Sequence, residues 1–281
     1  MRSLFIVFVF CLLCSCERWA IEKEPLNINS SFTISSYLTP DDSVHTVSVF
    51  SLKPADETIL TKDLDNLLIK HASVFISSEL DRTGFELKYV DSLMAYAGRF
   101  IVKENIRYFL SVKVNGKEAT SSCLVPRKPL VTSDGIELIY LNEDMIHVKV
   151  TWKEPYGEQT SFRVIDQFRY GNAGSNIFSR STFDVLDEPD PVTLEYAIAG
   201  DFFIPSTNFN NARFEVDIIS LSPELAQLTQ QMMINNIVIG VNSYGFFQKF
   251  IPLKPLYSNI TNGYGVFGAY NTTMLKRPFS D

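Results

Sequence analysis

The chain has 281 residues, of which 46% are hydrophobic and 20% charged, with 22 Phe and 12 Tyr. Such a composition buries enough apolar surface to fold and excludes extended disorder. A formal charge of −7, without any long basic run, argues against a nucleic-acid partner and against electrostatic docking on an anionic leaflet.

Residues 1–15 read as a lipoprotein signal peptide. Arg2 supplies a positive n-region, and LFIVFVFCLL, from Leu4 to Leu13, is an apolar h-region too short to span a bilayer. The sequence Leu13-Cys14-Ser15-Cys16 then resembles the lipobox of bacterial lipoproteins. That resemblance implies cleavage between Ser15 and Cys16 and a diacylglycerol on the Cys16 thiol. The alternative is an ordinary secretory signal that leaves Cys16 as a thiol. Acyl chains contribute about 0.8 kcal/mol per buried methylene, enough for two or three of them to hold a domain on a membrane. No later segment approaches ~18 consecutive apolar residues, so the lipid is the expected anchor. Lipidation leaves Cys123 as the remaining mature cysteine, which forbids an intramolecular disulfide. In TSSCLV it reads as a small buried hydrophobe.

Residues 16–30 are polar, contain Pro25 and read as a tether. From Phe32, FTISSYL and HTVSVFSL alternate apolar and polar residues around the turn sequence TPDDS, predicting two strands. TKDLDNLLIKH fits a short helix or a loop, and ASVFISS fits a strand. RYFLSVKV and a returning strand from Glu118 to Leu124 flank Asn115-Gly116, a strong hairpin signal because both residues tolerate positive φ. Residues 31–126 therefore predict an immunoglobulin-like β-sandwich domain, whose usual size is about 100 residues.

Pro126 and Pro129 mark a link to a second β-rich domain over 130–275. Its predicted strands are IELIYL, IHVKVTW, FRVIDQFRY, VTLEYAIAG and RFEVDIISLS. The polar stretch GNAGSNIFSRSTFDVLDEPDP between them is expected to be a binding loop. One packed helix is predicted over 223–234, with Ser222 as N-cap, Pro223 in the first turn, Glu224 at the positive dipole end, and Leu225, Leu228 and Met232 at helical spacing. NNIVIGVNSYGFFQKF reads as a strand or irregular segment.

The motifs argue against catalysis. His45, His71 and His147 lack metal-ligand spacing, and neither a G-x-S-x-G elbow nor a Walker motif occurs. No catalytic residue, cofactor or metal site is assigned, and the chain is read as a non-enzyme. Asp184, Asp187, Glu188 and Asp190 fit loop solvation, with a calcium loop as the sharper alternative. Phe202, Phe203, Phe246 and Phe247 fit core packing, or stacking on a ligand ring. Gly263-Tyr264-Gly265-Val266-Phe267-Gly268 spells G-x-G-x-x-G, but no βαβ unit fits between it and residue 281. These glycines predict a tight turn and close backbone packing, with Phe267 inserted in the core.

The order of lipobox, FTISSYLTPDDSVHTVSVFSL, IRYFLSVKVNGKEATSSCLVP and PLYSNITNGYGVFGAY resembles the Bacteroidota lipoprotein family called domain of unknown function 4249. The most specific part is its C-terminal SNI-x-[NG]-G-x-G-[IV]-F-[GA] signature, here Ser258 to Gly268. The resemblance implies a lipid-anchored envelope protein of the outer membrane, often encoded beside a TonB-dependent receptor, and carries no assigned reaction. The expected role is a binding or accessory subunit of such a receptor. Alternatives are a structural or adhesive surface protein binding glycans or proteins, and a hydrolase whose site assembles only on folding. Asp42-Ser43-Val44 and Asp91-Ser92-Leu93 also resemble the Asp-Ser/Thr-aliphatic O-glycosylation motif of Bacteroidota.

Overall fold

A computed structural model describes residues 32–51, 67–131, 135–142, 145–153, 161–170, 176–185, 191–199, 213–231 and 257–278. The chain is mostly β. The first strands are β1 (Phe32–Leu38), β2 (Val44–Ser51) and β3 (Ser73–Ser78), followed by β4 (Phe85–Val90) and β5 (Ala95–Arg99). Next come β6 (Arg107–Val114) and β7 (Lys117–Leu124). Alternation sets the faces: Phe32, Ile34, Ser36 and Leu38 of β1 point inward while Thr33, Ser35 and Tyr37 do not. Asn115 and Gly116 adopt φ of 48° and 78°, the left-handed pair that closes the β6–β7 hairpin. β4 and β5 were not foreseen because their burial alternates weakly; a 3-10 turn at Asp91–Leu93 joins them.

The strands run in the order β1-β2-β5-β4-β3-β6-β7, and the sheet folds on itself as a β-sandwich. Ile34, Val47 and Val49 from one side and Val74, Ile76, Leu110, Val112 and Cys123 from the other share one buried cluster.

The second half contains β8 (Ile136–Asn142), β9 (Met145–Trp152), β10 (Ser161–Tyr170), β11 (Asn176–Val185), β12 (Val192–Ala199) and β13 (Arg213–Leu221). A three-stranded sheet, β12-β9-β8, covers a sheet containing β11-β10-β13. Val148, Val150 and Trp152 meet Phe162, Val164, Phe214 and Val216 between the layers. Trp152 and Phe162 pack edge to face with centroids 5.4 Å apart. The stretch expected to be a binding loop contains β11, paired to β10 from Asn176 to Val185. Pairing with β10 makes this stretch a strand although its sequence, with Ile177 and Phe178 adjacent and polar residues from Ser179 to Thr182, carries no period-two alternation.

The last strand, β14 (Tyr264–Pro278), joins the two halves. Tyr264 to Ala269 pair in parallel with β1, and Tyr270 to Pro278 pair antiparallel with β13. One strand thus completes both sheets. Phe267 is fully buried in the first core, as the glycine-rich signature predicted, and Leu275 packs on the second. Asn271 Nδ2 donates to the carbonyl of Pro126 at 3.1 Å, and Thr273 Oγ1 donates to that of Pro129 at 3.1 Å, so β14 also ties down the connecting segment.

The helix α1 occupies residues 223–231 among those described. Ser222 caps it, its Oγ accepting from Leu225 N at 3.4 Å and also from Ala269 N at 3.1 Å. Leu225 packs with Leu221 and Val266 in a third cluster at the point where β14 changes partners.

Candidate functional site

The predicted lipidation and cleavage residues, Cys16 and Ser15, lie outside the described residues. So do Asp187, Glu188, Asp190, Phe202, Phe203, Phe246 and Phe247. Asp184 lies on β11, where its Oδ1 accepts from Arg163 Nε at 2.7 Å. Ser43 and Ser92 are exposed, in the bend before β2 and in the turn before β5. Cys123 is completely buried, and burial pushes its thiol well above the ordinary range, helped by Glu224. The histidines do not converge. His45 is buried against Phe100 in the first core, His71 is exposed, and His147 stands on β9. Among the described residues no three His, Cys, Asp or Glu side chains group to hold a metal ion. No helix among them is long and apolar enough to cross a membrane.

A groove of about 540 Å³ lies beside the first sandwich. Strand alternation builds its floor. Val74, Ile76, Leu110, Val112, Ala119 and Cys123 fill the core, so Phe75, Ser77, Phe109, Ser111, Thr120 and Ser122 stand on the opposite face of β3, β6 and β7. Register puts Phe75 beside Ser111 and Ser111 beside Thr120, with Ser77, Phe109 and Ser122 forming the next row. The floor is therefore a grid of hydroxyls carrying two separated phenyl rings, and Phe109 is 39% exposed.

The closing segment of the signature extends this grid. Thr261 bridges Thr120, with Thr120 N donating to Thr261 O at 3.2 Å and Thr261 N to Thr120 O at 2.8 Å. Asn259 fixes the segment's position: its Nδ2 donates to Phe267 O at 2.7 Å, and its Oδ1 accepts from Phe267 N at 3.0 Å. Ser121 Oγ donates to Asn259 O at 2.9 Å. The far wall is Tyr257 and Glu224, the latter in the first turn of α1. Burial, and next the Glu224 carboxylate, raise the Tyr257 phenol, which therefore keeps its proton. Glu224 Oε2 is buried without a hydrogen-bond partner.

Sequence reading missed this groove. Its signal was present in VFISS, YFLSV and ATSSC, where the positions facing away from the core are Phe, Ser or Thr in place of charges. Only the tertiary structure shows that these positions adjoin one another and Glu224, which lies 102 residues beyond Ser122 in sequence.

The fold and groove define a mostly-β, two-sandwich protein with a concave polar–aromatic surface. The chain belongs to the family described as Domain of unknown function (DUF4249), which it matches over residues 22–276. No curated protein matches it. Solved structures with some likeness include the FN5 domain of Drosophila Lar, at 20% identity over 35% of this chain and 82% of that one, with a TM-score of 0.20. A two fibronectin type-III domain segment from chicken tenascin is 14% identical over 66% and 88%, with a TM-score of 0.21. A cytokine receptor complex chain is 13% identical over 66% and 89%, with a TM-score of 0.27. Likeness of this order says nothing about activity.

Proposed function

We propose that this protein is a lipid-anchored cell-envelope binding protein, held on the outer membrane through Cys16, that captures a ligand in the groove as an accessory to a TonB-dependent receptor. The groove is the observation that carries the binding part. Its volume of about 540 Å³ falls in the range of ligand sites. Its floor mixes aromatic and hydroxyl groups, and a rigid sheet presents them. The address part rests on the h-region and on Leu13-Cys14-Ser15-Cys16. The non-enzymatic part rests on side chains suited to contact more than to chemistry: the groove's one carboxylate has neither a histidine nor a second carboxylate beside it among the described residues.

Two measurements test the proposal. The full chain expressed in its native envelope should incorporate labelled palmitate and sediment with outer membrane, and Cys16→Ser should abolish both. Detergent extraction of the unaltered chain should recover a TonB-dependent receptor with it. Recovery as an unlabelled free monomer overturns the proposal.

A further inference from the structure

The groups on the groove floor that solvent reaches narrow the class of ligand. Phe109, Thr120 and Thr261 are exposed, and Ser77, Ser111 and Ser122 are half-buried. Cross-strand pairing puts Phe109 between Ser77 on β3 and Ser122 on β7. Directly paired residues stand about 4.5–5.5 Å apart, so hydroxyls border this phenyl on both sides. Phe75, opposite Ser111, is its diagonal neighbour at about 7–8 Å. Serine and threonine hydroxyls each donate and accept, and they turn to suit a partner. Ser111 Oγ already donates to Glu118 Oε1 at 2.6 Å, so it meets a ligand as an acceptor.

Different ligands meet this floor differently. An apolar chain or a bare aromatic ring would cover Phe109, but it would strip water from the hydroxyls beside it and return no hydrogen bond. A peptide commonly docks as a strand on a free sheet edge, and this stretch of the β7 edge is already taken. Thr261 bridges Thr120, Asn259 Nδ2 donates to Ser122 O at 3.3 Å, and Asn262 Nδ2 donates to Glu118 O at 3.2 Å. A pyranose ring meets both demands, because its C–H face lies on a phenyl while its rim hydroxyls donate and accept. The volume of about 540 Å³ leaves room for more than one such ring.

We infer that the groove takes a carbohydrate of two or more pyranose units, one ring lying on Phe109 between Ser77 and Ser122 and the next reaching Ser111 and Thr120. This rests on the groove being the ligand site, as proposed above.

The test follows backbone amides of Ser111, Thr120 and Ser122 by NMR in the full mature chain carrying Cys16→Ser, which lacks only the lipid. The probes are maltotriose, cellotriose, mannotriose and chitotriose, with indole as a ring that has no hydroxyl rim. At least one trisaccharide should shift these amides saturably, and irradiating the protein's aromatic protons should transfer saturation to the C–H protons of that sugar. Phe109→Ala should weaken that sugar about tenfold, whereas Phe109→Tyr should keep it within about twofold. Thr120→Val, which keeps the shape and removes the hydroxyl, should weaken it several-fold. Thr120 is exposed, so that variant still decides the matter if Phe109→Ala fails to fold. Sugar shifts that neither variant alters overturn the inference. Shifts with indole and with no sugar overturn it while leaving the groove as the ligand site. Silence from every probe overturns it and removes the groove from the proposed function as well.

Discussion

Asn259 holds Phe267 by both ends of its side-chain amide, donating to the Phe267 carbonyl at 2.7 Å and accepting from the Phe267 amide at 3.0 Å. Its side chain thereby stands in for a strand backbone and joins the β7 side of the first sandwich to β14. Asn259→Ala leaves a donor and an acceptor of Phe267 without partners, at about 1–3 kcal/mol for each buried group. The expected result is a loss of about 2–6 kcal/mol in urea unfolding with little change in m-value. Asn259→Asp should do no better, because its carboxylate would face the Phe267 and Ser122 carbonyls that Nδ2 now serves.

Gly265 is a sharper case. Its φ is +104°, and a β carbon would lie 1.9 Å from the carbonyl oxygen of Ile34. Neither β1 nor β14 has room to yield, because their parallel pairing runs on both sides of this point. Gly265→Val should therefore exceed about 4 kcal/mol of destabilisation and give an insoluble or unfolded chain. A soluble variant with wild-type thermal midpoint would show that this close approach of β14 to β1 is not structural.

Ser222 links α1 to β14, through Ala269 N at 3.1 Å and through its own N–H to the Ala269 carbonyl at 2.8 Å. Ser222→Ala keeps the backbone bond and loses the hydroxyl. A loss of about 1–2 kcal/mol is expected from the cap alone. Because Glu224 and Tyr257 form the groove wall beside this junction, hydrogen exchange should quicken there before it quickens in β9 or β10.

His45 makes stability depend on pH. Burial lowers its pKa below the ordinary 6.5, against smaller opposing effects from Asp42 and from hydrogen bonds to the backbone at Phe100 and Asp42. The unfolded chain then binds its proton more readily than the folded one. Stability is full above pH 6.5 and falls as pH drops from there toward the lower folded-state value. Urea midpoints measured between about pH 7.5 and pH 5 should fall for the native chain, and should fall less for His45→Phe if the ring contact with Phe100 is retained.

Cys123 should be inert. Its thiol is fully buried and held protonated, so a thiol reagent should react only at the rate of unfolding. Immediate stoichiometric labelling under native conditions would contradict the buried position.

Much of this architecture was legible in the residues. The alternation of FTISSYL, the Asn115-Gly116 turn and the Ser222 cap all appear where local rules place them, because each depends on neighbours within a few positions. β11 was obscured because polar residues on both of its flanks resemble a loop, and pairing with β10 outweighed that composition. β4 and β5 gave no clear period, and their pairing with each other and with β3 and β2 fixes them.

The groove marks the boundary between the two kinds of information. By itself the sequence determined a mostly-β chain, a glycine-rich final segment with a buried Phe267, and the family to which that segment belongs. It also set the hydroxyl and phenyl residues on the outward positions of three strands. Only the tertiary structure decided that β14 is shared by both sandwiches and that Glu224 and Tyr257 line one groove with Ser122 and Phe109. Local propensity acts over a few residues, whereas strand pairing and helix packing bring together positions more than 100 apart, and their register is set by burial of both cores at once.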